Sequence, residues 1–562
     1  MQPASLKPTT RGGGFLLGET PRIFTPEQFT EEHRAIARTT EDFWNKEVVP
    51  NLEAIQHQEP GVAASVLRKS AELGLTAVLV PEQYGGMEMD LVSAMIVAEG
   101  IAKDGSYAAW HGAHAGIGTL PLLLFGTEDQ KRQYLPKLTS GEWIGAYCLS
   151  EAHAGSDALA AKTRADLSPD GTHYILNGQK MWITNGGAAD LFTVFAKVGG
   201  EQFTSFLVER SWSGVSAGAE EKKMGIKGSS TTPVFFDNVR VPIENVLGEI
   251  GRGHIIAFNI LNLGRLKLGP FAVGGAKAVL TQSLKYAKDR KAFGKSIAEF
   301  GMIQYKLAEM AVRICAAETM SYRVTGAIQD RMFAGESLLK ATEEFAAECS
   351  FVKVFASEML DYVVDEGVQI HGGYGYHQDY AVERAYRDSR INRIFEGTNE
   401  INRLLATGML LKRAQRGQLP LVAAVKKLQD ELLSGESADV VSSAKKAGLV
   451  ILGVAFQRFL TELEHQQEVL ACITDVLMYA YAIESVHLRK PEAEVTAVFI
   501  DEAMTRIEEA ARMVLAACSE GDTLRTNLAI LKRLTRREAI NTIEARRRIA
   551  KRLLEAERYV LA

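Results

Sequence analysis

The chain has 562 residues, 46% apolar and 24% charged, with 64 Lys and Arg against 69 Asp and Glu and a formal charge of -5. That length calls for three or four domains, the composition is that of a soluble globular protein, and the charge leaves no footprint for nucleic acid. The five cysteines (Cys148, Cys315, Cys349, Cys472, Cys518) are scattered without a CxxC pair, and Cys148 and His153 are the only close Cys/His neighbours. Free thiols, a reducing compartment and no metal site are therefore expected. No apolar run reaches the roughly 20 residues of a membrane span; the longest candidate, 447–456, falls well short.

In chain order, residues 1–24 read as a flexible arm, with Lys7, Arg11 and the Gly12-Gly13-Gly14 run but no apolar signal core. Residues 25–142 follow a helical pattern. Thr25-Pro26-Glu27 is a helix start, with a Thr cap, Pro at the first position and an acid in the first turn. Periodicity predicts helices near 61–74, 90–103, 106–125 and 127–137, with the Val80-Pro81-Glu82-Gln83-Tyr84-Gly85-Gly86 loop among them. On 106–125, Ala108, Ala109, Gly112, Ala113 and Gly116 leave one face almost bare, for close helix packing or for a cavity wall. At about Trp143 the period changes. Strands are predicted at 172–176, 191–196, 204–208 and 233–236, with turn signals at Pro169-Asp170-Gly171, Asn177-Gly178 and Asn185-Gly186-Gly187. An all-β domain over 143–250 follows. Helical periodicity resumes at Ile255 for a domain over 251–413. A last helical region, 414–562, opens at Pro420 and carries helices near 438–464, 467–488, 492–519 and 522–560. Its Arg546-Arg547-Arg548 run reads as a solvated face.

The chemistry centres on Glu396. Arg384, Arg387, Arg390 and Arg393 precede it at steps of three, then Ile394 and Phe395; Gly397 follows, and Thr398-Asn399 can cap a new helix. Glu396 therefore sits at a helix break, against apolar neighbours, with a glycine that admits close approach to the backbone. A carboxylate desolvated this way suits a general base, although a lone acidic residue in an interhelix loop is more often a solvated surface group. No G-x-G-x-x-G joins a strand to a helix and no G-x-x-x-x-G-K-[ST] occurs, which disfavours a Rossmann nicotinamide site. The Tyr147-Cys148-Leu149-Ser150-Glu151 run, continuing to Asp157, ends a strand with small hydroxyl residues and a glycine, suited to hydrogen bonds with a planar heterocycle. Gln179-Lys180-Met181-Trp182-Ile183-Thr184 offers a second such surface. The glycines of Gln369-Ile370-His371-Gly372-Gly373-Tyr374 let backbone approach a diphosphate, and N–H groups at the Thr398-Asn399 helix start can face one.

Together these runs, spread over residues 25–412, resemble the acyl-CoA dehydrogenases, flavoenzymes that place a trans double bond between the α and β carbons of a fatty acyl thioester. The resemblance implies an α+β, mainly α fold: an N-terminal helical domain, a middle β-sandwich or barrel, a helical bundle and here a second C-terminal helical domain. It implies FAD as cofactor and Glu396 as the base that removes the α-proton. Implied flavin contacts are Tyr147, Leu149, Ser150, Ser156, Trp182, Ile183, Thr184, Gln369, Ile370, Gly372, Gly373, Thr398 and Asn399, with Arg290 and Phe293 reaching the flavin of a neighbouring subunit. Implied acyl-CoA contacts are Ser156, Asn262, Arg265, Phe395 and Gly397, Arg265 through its phosphate-gripping fork. No metal ligands are implied. Two departures stand out: Ala152-His153 where Pro-Gly is common, and Gly301 where many members have Gln, a loss Gln304 does not simply replace. Members that carry the base on the helix after the β domain have a carboxylate there; residues 261–266 have none, so Glu396 has no rival in the matched motifs.

The extension beyond 412, about 150 residues, together with Gly301 and the bare helix face, resembles the very-long-chain branch. That branch implies a homodimer, service in fatty acid β-oxidation, electrons passed to electron-transferring flavoprotein, and peripheral membrane contact through the C-terminal region. We place that contact at 421–456 with Lys445 and Lys446, against the alternative of a core helix packing on the main body. The expected location is the bacterial cytoplasm, or the mitochondrial matrix of a eukaryote. Two rivals share the fold: an acyl-CoA oxidase that uses oxygen, and a non-catalytic assembly or scaffold protein.

Overall fold

The computed structural model describes residues 10–18, 22–434 and 439–561. They form two compact units, one of Thr30–Lys267 with Arg387–Ile391, the other of the described parts of Met1–Phe29, Leu268–Tyr386 and Asn392–Ala562.

The first unit opens with α1 (Glu31–Phe43), α2 (Leu52–Gln56), α3 (Val62–Glu72), α4 (Leu91–Ile101), α5 (Gly105–Ala113), α6 (Leu120–Phe125) and α7 (Glu128–Thr139). The Thr25-Pro26 start forms only a short turn, and the first full helix begins one cap later, at Thr30. The continuous helix expected over 106–125 is broken. After α5 a π turn spans His114–Gly118, because Gly118 is pressed onto the start of the sheet: a Cβ there would sit 2.7 Å from the Gly145 carbonyl carbon. His114 Nδ1 accepts the Gly145 N–H at 3.1 Å and the Thr119 hydroxyl donates to the His114 carbonyl at 2.7 Å.

The sheet contains β1 (Gly145–Cys148), β2 (Arg164–Leu167), β3 (His173–Thr184), β4 (Leu191–Val198), β5 (Gln202–Glu209), β6 (Val215–Ala217), β7 (Thr231–Pro242) and β8 (Val246–Leu247). Its order is β6-β7-β3-β2-β4-β5-β8, with β1 also paired to β4. All pairs are antiparallel except β1 and β2 on β4. The four sequence-predicted strands fall in β3, β4, β5 and β7; the shorter strands carry too little alternation to be seen alone. The β3–β7 ladder slips twice, between Leu176 and Gly178 and between Lys180 and Ile183. The second bulge shapes the site described below.

Helix α8 (Gly253–Asp289) leads to the second unit, which holds the β9 (Lys291–Ala292) and β10 (Lys295–Ser296) hairpin, α9 (Gly301–Phe333), α10 (Leu338–Glu344), α11 (Ala346–His371), most of α12 (Ala381–Ser389) and α13 (Asn399–Gln415). The extension adds α14 (Leu421–Ser434), α15 (Val440–Phe459), α16 (Gln467–Arg489), α17 (Ala493–Cys518), α18 (Gly521–Thr535) and α19 (Thr542–Ala556). Helices α9, α11 and α16 are buried along most of their length.

The structure departs from several expectations here. Residues 10–18 of the supposed arm are docked: Phe15 and Leu16 are buried, and the Gly12 and Gly13 amides donate to Glu344 at 3.0 Å and Glu348 at 2.7 Å. Residues 1–9 and 19–21 lie outside the described residues. The helix expected over 522–560 breaks after Thr535, where Arg537 turns to grip Asp501 at 2.7 Å and Asn541 recaps the chain on the Glu544 amide. Arg546 is not solvated: it is 4% exposed and paired with Glu309 and Glu502. Two helical stretches, Val440–His465 and Gln467–Arg489, are long and apolar enough to cross a membrane, although 61% and 78% of their apolar windows lie inside the fold. Within 421–456, Lys445 is buried and paired with Glu484, and Ala447, Ile451, Leu452 and Ala455 face the core. The alternative of a core helix is what α15 shows; residues 435–438 lie outside the described residues. All five cysteines are free, as expected.

Glu309 on α9 faces Arg546, Arg313, Glu502 and Tyr305. Burial and the Glu502 carboxylate push its pKa up to about 7, against the ordinary 4.5. A carboxylate with a raised folded pKa binds its proton more tightly in the fold, so this contribution is complete at pH 4.5 and below and is lost as pH rises through about 7. Between about pH 4.5 and pH 7 the thermal midpoint falls through this group and then levels off, and Glu309→Gln, which keeps the hydrogen-bonding shape without titrating, flattens that slope. Parallel thermal scans of the two proteins check this.

Candidate active site

In the second unit the chain turns sharply before α13. Glu396 has φ 58° and Gly397 φ 78°. The left-handed region is free for glycine but costs glutamate about 1–2 kcal/mol, so the surroundings must hold the turn. Asn402 does so from one turn ahead: its amide donates to the carbonyls of Glu396 (3.3 Å), Gly397 (2.8 Å) and Thr398 (3.0 Å). Lys353, fully buried on α11, donates to the Gly397 carbonyl at 2.8 Å and to Asn399 Oδ1 at 2.6 Å. Thr398 caps α13 by accepting the Ile401 N–H at 3.3 Å. With the backbone fixed, the half-buried Glu396 keeps its Oε2 shielded from solvent. A carboxylate held in place and screened from water can take a proton from a substrate laid against it.

The same unit brings Gln369, Gly372 and Gly373 together as exposed residues at the end of α11, with Ile370 buried beside them. Gly372 has φ 61°, and a Cβ added at Gly373 would meet nothing within 4 Å, so the backbone there is open. The Arg290 guanidinium lies 5.6 Å from the Tyr374 ring. On the β9–β10 turn, Phe293 has φ 53° and is 95% exposed.

The first unit carries another set. The bulge in β3 puts Trp182 at φ 57° and turns its ring outward, 55% exposed, while Lys180 and Ile183 point inward. Met181 N–H donates to the Ser150 carbonyl at 3.0 Å, which brings the 147–151 run beside 181–184. Lys180 anchors the junction: its ammonium donates to the Leu149 carbonyl at 3.2 Å and to Glu151 at 2.7 Å. Burial pulls the Lys180 pKa down against the pull of Glu151. Burial likewise opposes the Glu151 charge, yet Lys180 and the Lys162 amide leave its pKa below the usual value. The junction presents half-exposed Ser150 and Thr184 with Trp182 beside them; Tyr147 and Leu149 are buried beneath, and Ser156 is exposed in the following loop. An outward indole flanked by hydroxyls fits a flat, hydrogen-bonding heterocycle, and an open glycine backbone fits a diphosphate. On both counts the residues present fit FAD.

Several implied contacts are placed differently. Asn399 is 3% exposed, and its side chain is engaged with Lys353, Ser357 and Glu358, so it supports the turn rather than facing outward. Asn262 and Arg265 are buried, with the Arg265 guanidinium donating to Asn262 at 2.7 Å. On α5, Ala108, Ala109 and Gly112 are half-exposed but Ala113 is buried, as is Gly116 in the π turn that follows. Sequence reasoning also missed Lys353, Asn402 and Asp388. Asp388 accepts the Ile226 N–H at 2.5 Å and fixes the Lys223-Met224-Gly225-Ile226 run. Lys353 had a visible signal: a lone cation inside the apolar stretch 351–356.

Family models described as acyl-CoA dehydrogenase N-terminal, middle and C-terminal domains match residues 30–142, 146–239 and 251–410. A further acyl-CoA dehydrogenase C-terminal domain model matches 443–533, within the extension. A probable acyl-CoA dehydrogenase of Bacillus subtilis (strain 168) is 46% identical, covering 98% of this chain and 98% of that protein. The mitochondrial very long-chain specific acyl-CoA dehydrogenase of Homo sapiens is 43% identical over 59% of this chain and 51% of its own length. Among solved structures, an acyl-CoA dehydrogenase from Bacillus anthracis complexed with FAD superposes with a TM-score of 0.96 at 48% identity, covering 98% of this chain and 100% of that one. Butyryl-CoA dehydrogenase from Megasphaera elsdenii superposes with a TM-score of 0.63 at 35% identity, over 68% of this chain and 99% of that one.

Proposed function

The chain belongs to the acyl-CoA dehydrogenase family, and from that premise we propose that it is an FAD-dependent enzyme that oxidises long- and very-long-chain fatty acyl-CoA to trans-2-enoyl-CoA in fatty acid β-oxidation. The observation that carries this is the left-handed Glu396–Gly397 turn, with a screened carboxylate on a backbone clamped by Asn402 and Lys353. Glu396 takes the α-proton. When bound, FAD supplies the two-electron acceptor for the β-hydrogen. In the first unit Ser150, Trp182 and Thr184 would hold a flavin ring, and in the second the open Gly372–Gly373 backbone suits a diphosphate. Removing an α-proton from a thioester needs a dry, aligned site, and the rigid turn provides the alignment on the protein's side.

The half-exposed Ala108, Ala109 and Gly112 leave room for a long acyl chain, and the very-long-chain relatives favour the same reading. Electrons then pass to an electron-transferring flavoprotein, and the enzyme acts as a homodimer in which the exposed Phe293 turn meets the second copy. Free thiols throughout suit a reducing compartment, the bacterial cytoplasm or a mitochondrial matrix. Steady-state turnover over a panel from butyryl-CoA to chains beyond stearoyl-CoA, with electron-transferring flavoprotein or oxygen as acceptor, tests this. The expected result is a kcat/KM maximum at palmitoyl-CoA or longer and no peroxide. A maximum at butyryl-CoA would overturn the chain-length reading, and sustained peroxide release would make the enzyme an oxidase.

A further inference from the structure

We propose that Asp475 and Thr474, on helix α16 of the C-terminal extension, are positioning residues that hold the Glu396 turn in its working geometry. This rests on Glu396 being the base.

The path is continuous. Asp475 Oδ1 accepts from Arg403 Nε at 2.8 Å. The other side of the same guanidinium is held bidentately by Glu358 of α11, at 2.8 and 3.0 Å. Glu358 Oε1 also accepts from Asn399 at 3.1 Å, and Asn399 accepts from Lys353, which holds the Gly397 carbonyl. Thr474, fully buried, donates its hydroxyl to the Arg403 backbone carbonyl at 2.5 Å and meets Thr407 Oγ1 at 2.6 Å. Helix α16 therefore grips Arg403 by both side chain and backbone.

Arg403 follows Asn402, the residue whose amide spans the three carbonyls of the Glu396 turn. A planar guanidinium bonded along two edges has no rotation left to absorb a shift. Glu358 alone fixes one edge and lets the first turn of α13 roll; Asp475 fixes the second and stops the roll. Burial raises the Asp475 pKa against the pull of Arg403, so its charge is kept at a desolvation cost. The extension thus reaches the catalytic turn through hydrogen bonds, without contributing a group that touches substrate.

The test uses the full-length holoenzyme and four variants: Asp475→Asn, Thr474→Ala, Thr474→Ser and, as reference, Glu396→Gln. Three quantities are read: the rate of anaerobic flavin reduction by palmitoyl-CoA, the isotope effect with the α-deuterated substrate, and amide hydrogen exchange over 396–402. Asp475→Asn and Thr474→Ala are expected to slow reduction about tenfold, since a small misplacement of a reacting group is costly. Their substrate affinity stays within about twofold while the isotope effect rises and exchange over 396–402 quickens about tenfold. Thr474→Ser, which keeps the donor, returns all three toward wild type. The proposal is overturned if the Asp475 and Thr474→Ala proteins match wild type in rate, isotope effect and exchange, or if Thr474→Ser is as impaired as Thr474→Ala. Should Asp475→Asn lose its flavin, the Thr474 pair decides alone. If Glu396→Gln is reduced as fast as wild type, the base assignment fails instead, and the exchange data still judge the positioning claim.

Discussion

Glu396→Gln lowers the rate of anaerobic flavin reduction by palmitoyl-CoA at least about a thousandfold, the upper range for loss of a general base, while flavin content and thermal midpoint stay at wild-type values. Glutamine matches glutamate in size and in its tolerance of the left-handed turn, so the backbone geometry is untouched. The bonds that shape the turn run to carbonyls of residues 396–398, not to the Glu396 side chain. What the amide cannot do is accept a proton. The variant therefore separates chemistry from scaffold: substrate still binds, and the step that fails is proton removal. Stopped-flow absorbance of the flavin, with flavin content and a melting curve beside it, reads all three. A variant that reduces at the wild-type rate would move the base to another residue.

Glu484→Gln costs about 3–5 kcal/mol of stability, as expected when one member of a buried ionic group is neutralised. Glu484 is 2% exposed and accepts from Arg323 at 2.6 Å through one oxygen and from Lys445 through the other. Arg323 is itself 5% exposed, stacks 4.0 Å from the Tyr481 ring and donates to Ser485. One carboxylate thus ties α9 to α15 and α16, and its loss leaves two buried cations facing a neutral amide. Urea unfolding followed by circular dichroism checks the cost. The exposed pair Arg525–Asp522 is the contrast, since both side chains lie mostly in water and such pairs are worth little. A Glu484→Gln midpoint indistinguishable from wild type would show that the triad is not what secures the extension.

Much of this architecture is written in local pattern. β-branched runs between turn residues mark the longer strands, and the Glu396–Asn399 run is visible because a helix stop, a glycine and a cap occur in succession. What stays hidden depends on residues far away in the chain. The π turn at 114–118 follows from the Gly118–Gly145 contact, which no helical period encodes. The Gly12-Gly13-Gly14 run reads as slack chain, yet a Cβ at Gly12 would sit 1.8 Å from the Glu344 carbonyl oxygen, so glycine there serves close docking. Among three successive arginines only a partner on α9 singles out Arg546 for burial. The Thr398-Asn399 helix start marks backbone N–H groups, but nothing in that run shows that the buried Lys353 takes the Asn399 side chain. At the candidate site, the helix break and its turn are legible around Glu396, whereas Lys353, which holds the turn from another helix, leaves no mark in that run.

The most direct measurement is an anaerobic titration of the purified holoprotein with palmitoyl-CoA, following flavin absorbance. The account predicts that the oxidised flavin band bleaches with close to one equivalent of substrate per flavin and that trans-2-hexadecenoyl-CoA is recovered. A flavin that stays oxidised with every acyl-CoA from butyryl to beyond stearoyl would contradict it.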